Sequence, residues 1–125
     1  MAISRLKAVA KTVYGRVMAR PQIAAYLAQS GARQLNLGCG HNVLPGWLNV
    51  DLEGGRHGKT FMNALRPFPL PDASIDAILC EHLIEHVPAE GGVFLLKEAF
   101  RVLKPGGAIR VITPDLEGLA RMCVQ

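Results

Sequence analysis

A short apolar segment that runs straight into a pair of glycines constrains the fold of this chain more than any other feature. Residues 34–37 (QLNL) lead into Gly38 and Gly40, and a second such segment, residues 47–50 (WLNV), ends at Asp51. Because glycine has no Cβ, a ligand can approach the backbone at the end of such a strand closely. An acidic residue at the tip of the next parallel strand can accept both hydroxyls of a ribose. The two segments predict a nucleoside-type cofactor site, although two turn glycines and a surface aspartate are the alternative without further context.

Short apolar segments alternate with helical or loop segments along the rest of the chain. Strands are predicted at residues 34–37, 47–50, 60–63, 75–80 and 108–113, and helices at residues 1–20, 22–30, 89–103 and 116–125. One face of the helix at 89–103 carries Val93, Leu96, Ala99, Phe100 and Leu103. Residues 66–73, with three prolines, are predicted to be extended loop, and residues 104–107 (KPGG) to be a turn. Strands separated in this way predict an α/β fold with a parallel sheet.

The N-terminal part, residues 1–31, is predicted to form helices that precede a domain over residues 32–125. Residues 1–20 combine basic side chains with apolar residues at helical spacing, which predicts a basic amphipathic helix. Pro21 either ends this helix or begins the next one. Docking of the first helix on an anionic membrane surface is one interpretation. Packing of the helix on the domain, with its charges in solvent, is the other.

The basic surplus of the chain is concentrated in its N-terminal part. The net charge is +4, but residues 1–50 hold six basic residues and no acidic one, whereas residues 51–125 hold eight basic and ten acidic residues. This asymmetry does not indicate a nucleic-acid-binding domain, so no nucleic-acid partner is expected. Three cysteines without close spacing predict neither a disulfide framework nor a zinc site. No apolar run reaches the roughly 18 residues of a membrane span, and a reduced, cytoplasmic compartment is expected.

Four blocks of sequence, in this order, resemble the class I S-adenosylmethionine-dependent methyltransferases, in particular their type-11-like branch. The blocks are residues 35–40 (LNLGCG), 47–52 (WLNVDL), 68–87 (FPLPDASIDAILCEHLIEHV) and 96–115 (LKEAFRVLKPGGAIRVITPD). The resemblance extends over about two thirds of the chain. It implies a Rossmann-like, doubly wound and mostly parallel sheet, S-adenosylmethionine as the cofactor, and methyl transfer as the reaction.

The resemblance also assigns cofactor-binding roles to residues by their position. The residues expected at the methionine and ribose end are Leu37, Gly38, Cys39, Gly40 and, for the ribose hydroxyls, Asp51. The residues expected around the adenine are Leu52, Asn63 and Leu65. Cys80, Glu81 and His82 are expected to face the methionine moiety and the substrate. An oxygen nucleophile can require a base, and the candidates are His82 and Glu81.

Two departures from the family pattern follow the first block. Asn42 stands where a third glycine is usual, and asparagine tolerates the left-handed backbone of such a turn. Gly40 and Asp51 are 11 residues apart, whereas the dinucleotide fingerprint has roughly 20. The connecting helix is therefore expected to be very short or absent, with residues 42–47 (NVLPGW) as a turn. Its absence argues against an NAD dehydrogenase, whose pyrophosphate needs that helix N-terminus.

A rival interpretation concerns residues 82–86 (HLIEH), which match the HxxEH pattern of zinc peptidases. No third ligand is evident and Pro88 leaves little room for a helix, so no metal is expected. His86 is expected to pack or cap near a helix start. The chain also lacks (Asn/Asp)-Pro-Pro-(Tyr/Phe) after the fourth strand, which argues against methylation of amino groups on nucleic-acid bases. A small molecule or a saccharide is the expected acceptor.

The family's sheet has seven strands, whereas this sequence offers five and stops as a helix begins at Leu116. We therefore expect a chain truncated after the fifth strand, with residues 108–113 as a bare edge that a second copy could cover. Two hypotheses follow. The chain is an enzyme of the cytoplasm, peripheral to a membrane if its first helix docks there, or it is a non-catalytic remnant that binds the cofactor weakly or acts through self-association.

Overall fold

The computed structural model describes residues 2–123, except for the side chains of Ala2, Ile3 and Leu6. Five strands and three helices follow one another along the chain. They are α1 (Ala2–Leu27), β1 (Gln34–Leu37), β2 (Leu48–Asp51), β3 (Thr60–Phe61), β4 (Ile75–Glu81), α2 (Ala89–Val102), β5 (Leu103–Ile112) and α3 (Leu116–Cys123). A 3₁₀ turn, Ile84–His86, lies between β4 and α2. The predicted helix residues Met1, Val124 and Gln125 lie outside the described part.

The strands form one sheet in the order β3-β2-β1-β4-β5, and every neighbouring pair is parallel. The α/β, Rossmann-like prediction is thereby confirmed. Leu37 pairs with Val50 on one side and with Cys80 on the other. Because parallel strands end at the same edge of a sheet, the residues that follow β1, β2 and β4 are brought together there.

Apolar side chains from both faces of the sheet form one core. Its centre is the fully buried part of β1, β2 and β4, covered by α2 and by the C-terminal half of α1. The core residues are Ile23, Leu35, Leu37, Leu48, Val50, Met62, Phe68, Leu70, Ile75, Ile78, Cys80, Leu95, Ala99 and Val102. Central strands buried on both faces are typical of parallel sheets.

The N-terminal region is one helix rather than the two that were predicted on either side of Pro21. Helix α1 continues through this proline to Leu27, although proline removes one backbone hydrogen bond and usually kinks or ends a helix. Ala19 and Ile23, one turn apart on either side of Pro21, are both buried against the domain. We attribute the continuity to this packing, which holds both halves of the helix against the same surface.

Helix α1 approaches the sheet closely at a contact between glycines. A Cβ on Gly15 would lie 2.7 Å from the carbonyl oxygen of Gly54, and a Cβ on Gly55 would lie 2.9 Å from the Cα of Gly15. Real side chains do not tolerate such distances. Helix α1 therefore lies against the loop that leads into β3, at the outer side of the sheet.

Two buried amides replace the helix that usually joins the first two strands. Asn36 and Asn49 are paired in the β1–β2 register, and the Asn36 Nδ2 donates to the Asn49 Oδ1 at 2.9 Å. Asn49 also accepts from the backbone N–H of Leu44 at 2.9 Å and donates to the carbonyls of Leu44 and Trp47 at 2.9 and 3.0 Å. Asn36 donates in addition to the carbonyl of Asn42 at 2.7 Å. These hydrogen bonds hold the loop between β1 and β2 against the sheet without a helix. The short spacing between Gly40 and Asp51 predicted that the helix would be very short or absent.

The buried face of helix α2 differs from the predicted apolar face, and only Ala99 belongs to both. Gly92, Leu95, Ala99 and Val102 are buried, whereas Val93, Leu96 and Phe100 are exposed, the last at 83%. Both stripes are apolar and have helical spacing, so periodicity alone could not choose between them.

Residues 104–107 were predicted to be a turn and lie instead within β5. Leu103 pairs with Ile75, and the register shifts before Ala108 pairs with Ala77. The four residues are therefore an extended bulge in the strand, with Gly106 at φ +82°. Lys104 reaches back to Asp76, with the Nζ 2.9 Å from the Oδ1.

Candidate functional site

A cavity of about 440 Å³ opens at the carboxyl ends of β1 and β4. Chain order reverses between these two strands, because β2 and β3 lie on one side of β1 and β4 and β5 on the other. Ligands of open α/β sheets bind at such a switch point. The lining residues are Asn36, Gly38, Cys39, Gly40, His41, Asn42, Glu81 and His82. Five of the residues predicted for the site are among them.

The two glycines after β1 shape the floor of this cavity differently. Both have positive φ, +66° at Gly38 and +52° at Gly40. A Cβ on Gly38 would lie 2.8 Å from the side chain of Leu83, so this position is closed by packing. A Cβ on Gly40 would meet no atom within 4 Å. Gly40 therefore presents bare backbone to open space, which is the arrangement that lets a ligand contact a peptide group directly.

Asp51, at the tip of β2, is joined directly to this glycine loop. Its Oδ2 accepts the backbone N–H of Gly40 at 3.0 Å, and its Oδ1 accepts that of Glu53 at 3.0 Å. Each oxygen of a carboxylate has a further lone pair, so two more hydrogen bonds can be accepted. The ammonium of Lys59 donates to the carbonyl of Gly40 at 3.2 Å and holds the loop from the other side.

Cys39 lies between the two glycines and is buried. Its backbone N–H donates to the carbonyl of Val50 at 3.0 Å, which anchors the loop on β2. Burial raises the pKa of the Cys39 thiol, and the nearby Asp51 carboxylate raises it further. The thiol is therefore protonated at neutral pH, and Cys39 acts in the site through its backbone and its bulk.

Polar side chains after β4 form the opposite wall. The Oε2 of Glu81 accepts from the Nδ2 of Asn42 at 3.2 Å, and this hydrogen bond joins the end of β4 to the loop after β1. His82 has φ +51°, an uncommon conformation for a residue other than glycine, and its side chain is 53% exposed. The Nδ1 of His82 lies 3.3 Å from the Oε1 of Glu85. A carboxylate at this distance favours the tautomer with the proton on Nδ1, and the other ring nitrogen can then accept a proton.

The remaining predicted site residues lie outside this cavity. Leu37 and Cys80 are completely buried in the core, so only their backbone is near the strand ends. Leu52 and Leu65 are exposed apolar side chains on the loops after β2 and β3. Asn63 lines a separate cavity beside α1, and its Oδ1 accepts the backbone N–H of Leu65 at 2.9 Å. The structure thus joins the glycine loop to Asp51 and to residues 81–82, but it does not place the three adenine candidates in the same cavity.

The sequence did not predict the residues whose hydrogen bonds position the loops of the site. Asn36 and Asn49 each interrupt an apolar strand with an amide, and that interruption was the available signal. Lys59 carried no signal in the sequence, because its contact depends on how the loops fold. Glu85 belongs to the HxxEH motif, but the motif did not indicate its contact with His82.

The rival metal pattern is not supported by the local geometry. Residues 84–86 form a 3₁₀ turn, and both histidines of the motif approach one carboxylate oxygen, that of Glu85, at 3.3 and 4.0 Å. Within residues 2–123, His, Cys, Asp and Glu side chains do not form any group of three that could hold a metal ion. The described helices, including the long α1, also lack a segment long and apolar enough to cross a membrane.

A family profile and a curated relative match parts of this chain. Residues 55–111 match the family profile described as a methyltransferase domain. Over 60 residues, the chain is 42% identical to a probable S-adenosylmethionine-dependent methyltransferase of Mycolicibacterium smegmatis. The aligned segment is 48% of this chain and 21% of that relative, so the match extends over about a fifth of the curated protein. Both matches are to methyltransferases, which agrees with the resemblance that the sequence blocks indicated.

Proposed function

We propose that this chain binds S-adenosylmethionine at the carboxyl ends of β1 and β2 and transfers its methyl group to an acceptor in the cavity beside β4. One observation carries the proposal. The open backbone of Gly40 and the carboxylate of Asp51 are joined by a 3.0 Å hydrogen bond at the tips of adjacent parallel strands. That pairing offers peptide groups and a ribose-binding carboxylate side by side. The match to a methyltransferase family supports the same cofactor.

The cofactor would be held mainly by backbone and by one charge. Asp51 has two unused lone pairs for the ribose hydroxyls, and Gly38 and Gly40 line the path of the methionine part. Leu52 is exposed at the end of β2, where an adenine ring would cover it. Asn63 and Leu65 stay candidates for the adenine edge through the loop that follows β3. Leu37 and Cys80 would act through their backbone near the ends of β1 and β4.

Methyl transfer needs alignment more than chemical assistance. In an in-line displacement, the acceptor oxygen forms a bond to the methyl carbon while the carbon–sulfur bond breaks, and its electron pair stays on sulfur. The proton of the acceptor hydroxyl would pass to the free ring nitrogen of His82. Glu85 is the positioning residue, because its carboxylate oxygen lies 3.3 Å from the Nδ1 of His82 and would orient the imidazole ring. Glu81 is the second candidate base at the same wall.

A small molecule or a saccharide is the acceptor class that we propose. The cavity volume of about 440 Å³ is within the range of small-molecule sites. Its wall carries hydroxyl-binding groups in His41, Asn42 and Glu81. If the chain is instead a remnant without catalysis, cofactor binding would persist without any turnover, and the experiment below separates the two.

Three further expectations belong to this proposal. The first is a cytoplasmic location, with residues 1–20 contacting a membrane surface. Val9, Val13 and Val17 support this contact, because they form an exposed apolar row on α1. The second is self-association through β5, which is supported by the position of β5 at the edge of the sheet. The third is that no nucleic acid is bound.

The test compares two histidines that flank the same carboxylate. His82 lines the cavity, whereas His86 is 74% exposed and does not. Release of S-adenosylhomocysteine is measured with a panel of small hydroxyl compounds and saccharides. His82→Gln is expected to lower the turnover rate about 10²-fold or more, as for loss of a general base, with cofactor affinity unchanged, and His86→Gln is expected to leave both unchanged. Equal rates in the two variants would refute the role of His82, and cofactor binding without any turnover would favour the remnant hypothesis.

A further inference from the structure

A second cavity, of about 490 Å³, lies between α1 and the end of β3 and is lined by three arginines. Arg16 and Arg20 come from α1, one turn apart, and Arg66 comes from the loop after β3. The other lining residues are Ala19, Phe61, Met62, Asn63, Pro67 and Pro69. The described lining therefore contains three cations, an amide and apolar walls, but no acidic side chain.

These arginines have no carboxylate partner among residues 2–123. The guanidinium of Arg16 lies over the ring of Phe61, 5.4 Å from its centroid, and none of the ion pairs in this part of the chain includes Arg16, Arg20 or Arg66. Like charges one helical turn apart repel each other. The cavity thus concentrates positive charge, and its described lining carries no neutralising carboxylate.

Arg101, by contrast, is paired within the fold. The guanidinium of Arg101 donates to Glu98 at 2.8 Å and to Asp72 at 2.7 Å, and also to the carbonyls of Phe68 and Leu70. All N–H donors of this guanidinium are used within the protein. Arg16, Arg20 and Arg66 are exposed and take part in none of the ion pairs within residues 2–123, so their donors are accessible to a ligand that is not part of this chain.

From these observations we infer that the arginine cavity binds a phosphate group. The planar guanidinium matches phosphate oxygens in paired hydrogen bonds, and three such groups fit the double charge of a phosphate monoester better than a single carboxylate. The volume exceeds that of a phosphate, so the apolar walls of Phe61, Pro67 and Pro69 would hold the organic part of the ligand. The phosphate can come from a soluble ester or from the headgroup of an anionic lipid.

The inference does not rest on methyl transfer. Of the residues predicted for the cofactor site, only Asn63 lines this cavity. The glycine loop, Asp51 and His82 all lie elsewhere at the sheet edge. A failure of the phosphate proposal would therefore leave the proposed function untouched, and the reverse also holds.

The first arm of the test uses inorganic pyrophosphate as a soluble probe in calorimetric titration at low and at moderate salt. Arg20→Gln and Arg66→Gln are each expected to weaken binding about tenfold or more, because each removes charge-assisted hydrogen bonds. Arg110→Gln, an exposed arginine of β5 at the opposite edge of the sheet, serves as the control and is expected to change little. Thermal melts establish that all variants are folded.

The second arm uses vesicles of phosphatidylcholine with and without phosphatidic acid. A headgroup in the cavity predicts binding only to the vesicles with phosphatidic acid, lost in Arg66→Gln, whose arginine lies outside residues 1–20, and retained in Arg110→Gln, which lies outside the cavity. Binding in either arm with this residue selectivity supports the proposal and identifies the source of the phosphate. No binding by the wild-type chain in both arms, or an equal loss in the control variants, would overturn it.

Discussion

Replacement of Asn49 by alanine tests the explanation for the missing helix between β1 and β2. Asn49 is 4% exposed and takes part in four hydrogen bonds, with Leu44 at two atoms, with Trp47 and with Asn36. Each such bond contributes about 1 kcal/mol net, and buried peptide groups left without a partner cost more. Allowing for water that enters the vacated space, we expect Asn49→Ala to lower the free energy of unfolding by about 3 kcal/mol.

The measurement is equilibrium unfolding in urea, followed by circular dichroism. Asn63→Ala is the matched control, because that amide accepts a single bond, from Leu65, and lies at the surface of a cavity. Its expected loss is about 1 kcal/mol or less. Asn49→Asp adds a second criterion, since a carboxylate would face the carbonyls of Leu44 and Trp47 and destabilise the fold more at neutral than at acid pH. A loss below about 1 kcal/mol in Asn49→Ala would refute the view that this amide replaces the helix.

Two further predictions concern the glycine loop after β1 and the ion pair of Glu98. Gly40→Ala and Gly46→Ala both place a Cβ at positive φ in open space, +52° and +79°, so each is expected to cost about 1 kcal/mol in thermal unfolding. Only Gly40→Ala is expected to weaken S-adenosylhomocysteine binding in calorimetry, and equal affinities would show that Gly40 does not contact the cofactor. The hydrogen bond from Arg101 holds the pKa of Glu98 below its ordinary value of 4.5, so its contribution to stability is complete above that pH and is lost as the pH falls through the lower, folded-state pKa. Glu98→Gln is therefore expected to flatten the acid limb of the stability profile, whereas the exposed Glu90→Gln leaves it unchanged, and parallel profiles would contradict this.

The strands and their neighbours were largely predictable from the sequence. Short apolar segments bounded by glycine, proline or aspartate are typical of buried strands, and all five predicted strands form. The ends of the first four are shifted by two residues at most, whereas β5 begins at Leu103, well before the predicted residue 108. The resemblance to a known family implied a doubly wound, mostly parallel sheet. The connection between Gly40 and Asp51 was predicted correctly as well, because 11 residues cannot hold a full helix and two turns.

The rest depended on packing that a sequence does not display. Pro21 is tolerated within α1 because Ala19 and Ile23 are buried on either side of it. Helix α2 has two apolar stripes, and only the sheet decides that Leu95 rather than Phe100 is buried. The Asn36–Asn49 pair requires the strand register, and the arginine cavity requires the position of α1. These are tertiary effects that override local propensity.

The central claim is that Asp51 and the glycine loop form a cofactor site. Calorimetric titration of the purified chain with S-adenosylmethionine and S-adenosylhomocysteine tests it most directly, with Asp51→Asn as the probe and Glu90→Gln as the control. Loss of two charge-assisted hydrogen bonds to the ribose is expected to weaken binding by about 2–4 kcal/mol, or about thirtyfold at the least. Saturable binding that Asp51→Asn nearly abolishes, in a chain that still melts cooperatively, is the predicted result. Absence of binding by the folded wild-type chain, or equal affinities of the two variants, would contradict the claim.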